Sequence, residues 1–268
     1  MITIGLIGCG KMGSAIVRNL AQSNLVNEFK IYDSNRSQSD LLSKQLLNVS
    51  VSKDPSEVLQ SASATFLAVK PQDVIEATSI IKNQEGLIIS ILAGVSLSKL
   101  RSLLVKARLV RVMPNAPCAI GAMAAGFTLS ETVRADDCKL IQNLLNALGL
   151  AFEMPENKLD AVTGLSGSGP AFLARIFEWL SEAGIKEGLD PPVALALTLQ
   201  TAIGTVLLMQ KQSLTTDQLV NMISSPAGTT LAGLKELESG AVRNGLLRTV
   251  QAASMRSKEL GKTKNQSR

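Results

Sequence analysis

The chain has 268 residues, 46% hydrophobic and 18% charged, with a net charge of +5 at pH 7. That length holds two modest domains, and that hydrophobic fraction fills real cores and excludes a disordered chain. Aromatic residues at 3%, no histidine and three scattered cysteines argue against base-stacking nucleic-acid surfaces and against a zinc site.

The first 36 residues carry the strongest signal. Residues 2–7 are an apolar strand, Gly8-Cys9-Gly10-Lys11-Met12-Gly13 is a tight glycine turn, and a helical run covers residues 14–22. This order suits a dinucleotide. Gly8 lets the chain turn off the strand, Gly10 leaves room for a pyrophosphate, and Gly13 lets the helix pack against the sheet with its amino end toward the phosphates. Such a turn is weak evidence alone and strong between a strand and a helix. Cys9 occupies a variable place in it and reads as tolerated rather than reactive. The strand begins at once, with no signal peptide before it, so the cytoplasm is the expected compartment.

A second strand over residues 29–32 ends at Asp33-Ser34-Asn35-Arg36, where two signals conflict. Asp33 stands where an acid accepts the ribose hydroxyls of NAD. Ser34, Asn35 and Arg36 suit a 2′-phosphate, which arginine can clamp bidentately. If Asp33 points into the pocket it repels that phosphate; if it points out, NADP wins. The balance favours NADPH, with NADH as the weaker alternative.

Strands then alternate with helices: a strand over 64–69, Lys70-Pro71, a helix over 72–82, a strand over 87–92, Ala93-Gly94, a helix from Ser98, and a strand over 109–113 ending at Pro114-Asn115-Ala116-Pro117. The alternation predicts an α/β fold, a Rossmann-like doubly wound parallel sheet. Ligands of such sheets sit at the carboxyl ends of the strands. Ala68, Val69, Lys70, Pro71, Ala93 and Asn115 are therefore candidate cofactor contacts. Lys70 could donate a proton or clamp a phosphate, but the simpler reading is favoured: its backbone lines the cofactor and its ammonium stays solvated.

The chain divides near Pro155, giving residues 1–155 as a dinucleotide-binding domain and 156–268 as an all-α domain. Helical runs are expected over 171–187, 192–211, 216–223, 230–237 and 241–260. Residues 193–210 contain no charge. They are near the lower limit for a membrane span, but their threonines and glutamine and the lack of a companion span favour a buried helical core shared between subunits. The basic tail of Arg256, Lys258, Lys262, Lys264 and Arg268 reads as a solvated helix end rather than a nucleic-acid site. Two glycine-containing turns, 164–170 and 224–230, open helices. Their backbone N–H groups could hold a carboxylate, or the turns could be ordinary caps, and composition weighs the two equally.

Taken together, residues 8–13, 68–72, 90–94, 111–117, 160–170 and 225–261 resemble the pyrroline-5-carboxylate reductase family nearly end to end. Two departures stand out: Ala116 where the family usually has threonine, and Ala227 where it usually has glycine. The resemblance implies NADPH-dependent reduction of 1-pyrroline-5-carboxylate to L-proline, with hydride delivered to the cyclic imine carbon. It assigns Gly228, Thr229 and Thr230 to the substrate carboxylate and the Thr230 hydroxyl to the imine nitrogen. An imine that arrives protonated needs no strong general acid, which fits a chain without histidine. The resemblance also implies a homodimer whose sites are shared between chains, with rings of dimers up to a decamer; composition and residue types separately lead to the expectation of no nucleic-acid, membrane or metal partner. Two rivals remain: another imine or β-hydroxyacid reductase, the hydroxyacid enzymes needing a catalytic lysine for which Lys186 is the obvious candidate, and a non-catalytic NADP-binding regulator.

Overall fold

The computed structural model describes residues 2–226 and 228–266, with side chains as far as Gly261. The Ala227 departure and the side chains of Lys262, Lys264 and Arg268 lie outside the described residues. Two compact units emerge: Met1–Ser168 together with Gln251–Arg268, and Gly169–Val250.

The first unit is built on eight strands. It runs β1 (Thr3–Ile7), α1 (Lys11–Gln22), β2 (Glu28–Tyr32), α2 (Arg36–Gln45), β3 (Val49–Val51), α3 (Pro55–Ser61) and β4 (Ala64–Leu67). A 3-10 turn, Pro71–Asp73, leads into α4 (Val74–Ser79), followed by β5 (Leu87–Ser90), α5 (Leu97–Leu103), β6 (Arg108–Met113) and a second 3-10 turn, Ala116–Ile120. Then come β7 (Met123–Leu129), α6 (Ala135–Leu148), β8 (Gly149–Glu153), α7 (Leu159–Val162) and a π-helical turn, Thr163–Gly167. The sheet order is β3-β2-β1-β4-β5-β6-β7-β8. The order reverses between β1 and β4, the place where open α/β sheets bind ligands.

Alternation along the strands explains the two-sided core. Ile4 and Leu6 of β1, Phe66 of β4, Leu87 and Ile89 of β5 and Val110 of β6 pack on one face. Ile7, Leu67, Ile88 and Leu109 pack on the other. Successive side chains point to opposite faces, and helices on both sides keep both sets dry.

One expectation needs correction. The sheet is not wholly parallel: β6 pairs antiparallel with β7. The two strands are joined by a short connection containing the 3-10 turn, too short for a helical crossover, so the chain must turn back on itself. Two strands, β7 and β8, extend the sheet beyond those expected above.

The spatial units do not follow a cut at Pro155. Residues 156–168 stay with the sheet because β7 receives them closely: a Cβ at Gly126 would stand 2.9 Å from Val162 Cγ2. The end of the chain returns to the same unit, where Ser257 Oγ donates to Asp160 Oδ1 at 2.7 Å.

The second unit is entirely helical among the described residues: α8 (Gly169–Lys186), α9 (Pro191–Gln212), α10 (Thr216–Ile223), α11 (Thr229–Ser239) and the start of α12 (Val242–Gln266). The charge-free run of residues 193–210 lies in α9, whose last turn carries Lys211 and which is the one helix among the described residues long and apolar enough to cross a membrane. Within a single chain it is not buried. Leu197, Ile203 and Val206 are each more than half exposed, and Ala194 alone is buried. Among the described residues of its own unit, nothing covers this apolar face.

Candidate functional site

The glycine turn has the geometry its sequence predicts. Gly8 has φ +103°, where a side chain is strained, and an added Cβ would meet the Ala68–Val69 peptide at 2.6 Å. Gly13 is closed too: its Cβ would collide with the Gly8 carbonyl oxygen. Gly10 differs, since a Cβ there meets nothing within 4 Å. The turn is thus tight toward the protein and open on one side. Gly10 is the N-cap of α1 and offers no side chain to the first amides of that helix. Uncapped N–H groups beside open space form a ready anion site, so these residues fit a dinucleotide pyrophosphate.

Two of the predicted cofactor segments lie against this turn, the loop after β4 and the end of β2. The Ala68 N–H donates to Ile7 O at 2.8 Å, drawing the Ala68-Val69-Lys70-Pro71 loop against Gly8. Lys70 is exposed, as are Ala93, Lys11, Ser34, Asn35 and Arg36. Arg36 opens α2 and pairs with Asp40, Nε to Oδ1 at 3.0 Å, at a solvated surface. Cys9 is buried; burial, and then the nearby Asp33 charge, push its thiol up to about 12. At ordinary pH it is an inert filler of the turn.

Asp33 neither projects freely into solvent nor stands idle. Its Oδ2 accepts from the Cys9 N–H at 2.6 Å and its Oδ1 from the Asn35 N–H at 2.8 Å.

Asn115 is engaged by the protein itself. Its Nδ2 donates to Ser166 O at 3.1 Å, its Oδ1 accepts from Ala124 N–H at 2.9 Å, and it is only 7% exposed. This side chain braces the loop after β6 against β7 and the π-helical turn. Gly167 completes the joint, because a Cβ there would stand 2.9 Å from Met113 Cε. Neighbouring Ala116 is exposed.

Sequence reasoning missed a second brace. Arg111 is buried in β6, and its Nη1 lies 2.8 Å from Glu156 Oε1. The same oxygen accepts the Leu97 N–H at the start of α5 at 2.7 Å. A charged residue inside the apolar run of β6 was the available signal, since a buried charge requires a partner.

In the second unit, the N-cap of α11 is Gly228, which has no side chain with which to cap. The early amides of the helix are left open, and Thr230, half-buried, stands within the first turn rather than at the cap. A simple capping role for its hydroxyl is thereby removed. Lys186 is exposed at the end of α8, an unsuitable setting for the catalytic lysine that a hydroxyacid reductase would need. Along α8 and α9 runs an open groove of about 540 Å³, lined chiefly by Phe177, Ile185, Leu195 and Leu199, with Glu178 and Glu182 at its side. Among the described residues no group of histidine, cysteine or acidic side chains could hold a metal.

A doubly wound sheet with an open glycine turn at its switch point, followed by a helical unit, defines a dinucleotide-binding oxidoreductase fold. Residues 3–94 match a family model described as NADP oxidoreductase coenzyme F420-dependent, and residues 156–260 match one described as pyrroline-5-carboxylate reductase dimerisation. The chain is 38% identical to a pyrroline-5-carboxylate reductase of Methanosarcina acetivorans, over 97% of this chain and 98% of that one. It is 33% identical to the Pisum sativum enzyme over 96% of each. A solved pyrroline-5-carboxylate reductase structure from Coxiella burnetii superposes with a TM-score of 0.90 at 32% identity, covering 97% of this chain and 98% of that one. A Plasmodium falciparum pyrroline carboxylate reductase structure with NADP bound superposes at 0.83 and 30% identity, with the same coverage. The chain belongs to the pyrroline-5-carboxylate reductase family.

Proposed function

We propose that the protein reduces 1-pyrroline-5-carboxylate to L-proline with NADPH, the last step of proline biosynthesis. The observation that carries this reading is full-length membership of the family, joined to an open glycine turn at the switch point of the sheet.

NADPH, when bound, supplies the hydride; the chain supplies position. Gly8, Cys9, Gly10, Lys11, Met12 and Gly13 would hold the pyrophosphate at the amino end of α1. Ser34, Asn35 and Arg36 would hold the 2′-phosphate, and Ala68, Val69, Lys70, Pro71 and Ala93 would line the remainder through their backbone. The Asn115 side chain would act indirectly, by fixing the loop after β6. Gly228, Thr229 and Thr230 would receive the substrate carboxylate on the open amides of α11, with the Thr230 hydroxyl bonded to the imine nitrogen. We retain residues 1–155 and 156–268 as the functional division into a cofactor domain and a dimerisation and substrate domain.

The chain works as a homo-oligomer. The exposed apolar side chains of α9 are the surface we assign to a second copy, since an apolar patch of this extent is costly to leave in water. Closure of dimers into a decameric ring, and a cytoplasmic location, complete the proposal. The direct test is oxidation of NADPH by the purified protein on addition of the cyclic imine. Turnover that depends on both reactants, with proline as product, is expected. Absence of turnover, with NADPH bound, would overturn the assignment.

A further inference from the structure

We propose that Asp33 is a positioning residue for the glycine turn, not an acceptor for the ribose hydroxyls. It would thus serve NADPH and NADH alike and leave discrimination between them to Ser34, Asn35 and Arg36. The inference rests on the nicotinamide-dependent reading above, and it deepens that reading by dividing the tasks at the end of β2.

The argument begins with the turn. Gly8 and Gly10 flank a single non-glycine residue, and glycine loses more backbone freedom on ordering than any other residue. A turn with such neighbours will bind a pyrophosphate well only if something holds it in one conformation beforehand. Cys9 is where it is held. Its N–H donates to Asp33 Oδ2 at 2.6 Å, and its carbonyl accepts from Ser14 Oγ at 2.8 Å. Both polar groups of the residue between the two glycines are therefore pinned, one from the end of β2 and one from the first turn of α1. The short distance to Asp33 is that of a charge-assisted bond.

The other oxygen has its own engagement. Asp33 Oδ1 accepts the Asn35 N–H at 2.8 Å. An acid serving a ribose diol offers both oxygens to the two hydroxyls. Here each oxygen already faces a main-chain donor, and the two amides also offset the negative charge. Ser34, Asn35 and Arg36 remain exposed immediately beyond. An acid that would ordinarily repel a 2′-phosphate is thereby made compatible with one.

The test compares Asp33→Ala, Asp33→Asn and Ser14→Ala with the wild type, by calorimetric titration of NADPH and of NADH. Loss of the pin in Asp33→Ala should weaken both cofactors roughly tenfold, within about threefold of each other, the scale of one hydrogen bond to a charged group. Ser14→Ala should lower both in the same way, and Asp33→Asn, which keeps one acceptor oxygen, should fall between Asp33→Ala and the wild type.

A second readout needs no cofactor: alkylation of the free protein by iodoacetamide, followed peptide by peptide. Cys9 and Cys118 are both buried in the same core. Releasing the turn should speed modification of Cys9 several-fold in Ser14→Ala, where the Asp33 charge that raises the thiol is still in place, and leave Cys118 at the wild-type rate, whereas general unfolding would expose both. Weakening of NADH alone, with NADPH unchanged or tighter, would overturn the proposal and restore the ribose role. Unchanged affinity for both cofactors would overturn it too. A wild type that binds neither cofactor would overturn the nicotinamide reading, and this inference with it.

Discussion

Replacing Asn115 with alanine separates a brace from a cofactor ligand. The wild-type side chain joins three segments: the loop after β6, the start of β7 through Ala124 N–H, and the π-helical turn through Ser166 O. At 7% exposure, water cannot readily replace either bond. Each orphaned backbone group costs about 1–3 kcal/mol, and partial relaxation leaves a combined loss of about 2–4 kcal/mol. For a chain of this size 1 kcal/mol corresponds to about 2–4 °C, so the melting temperature should fall by roughly 4–16 °C. Melts must be compared at one protein concentration, because an oligomer's midpoint depends on it. Asn115→Asp should do no better than alanine, since it sets a carboxylate oxygen against the Ser166 carbonyl. NADPH titrated well below the melt should still bind within about threefold of wild type, less than the loss of one hydrogen bond. An unchanged melting temperature with tenfold weaker NADPH binding would refute the brace and make Asn115 a direct cofactor contact.

Three further outcomes are expected. Arg36→Ala should weaken NADPH by about 1–2 kcal/mol and leave NADH nearly unchanged in the same titration. A charge-assisted phosphate contact is worth about 1.5–3 kcal/mol, less whatever the exposed Asp40 pair contributes; equal loss for both cofactors would remove the 2′-phosphate assignment. Thr230→Ala should lower turnover by about ten- to a thousandfold with little change in NADPH affinity, and Thr230→Ser should recover much of the rate. Since Gly228 is the N-cap, the alanine variant should also keep its melting temperature, and full activity in it would end the catalytic claim. Ile203→Glu, on the exposed face of α9, should shift sedimentation toward monomer and abolish activity. An active monomer would sink both the dimer surface and the shared site.

What the sequence determined by itself was whatever depends on local chemistry. The glycine turn was legible because Gly8 needs positive φ, and at Gly13 a side chain would strike backbone. Helix α9 was legible from the prolines at its start and its long charge-free run, and α10 from Thr215 and Gln218, which cap its first turn, signals that lie within each segment. Tertiary structure decided the rest. Residues 123–129 pair back on β6 because of a short connection, a choice made by pairing partners and not by strand propensity. Spacing alone leaves open whether Asp33 enters the pocket; that its oxygens accept from amides brought to it by the turn after β1 and by the end of β2 itself is decided by the fold. The place of Asn115 at a strand end marks it as a candidate cofactor contact, and that its side chain also bonds Ser166, 51 residues along the chain, is decided by the fold. Arg111 and Glu156 are 45 residues apart. Hydrogen bonds over such separations follow from how the chain packs, and a polar side chain at a strand end carries no local mark of whether protein or ligand will satisfy it.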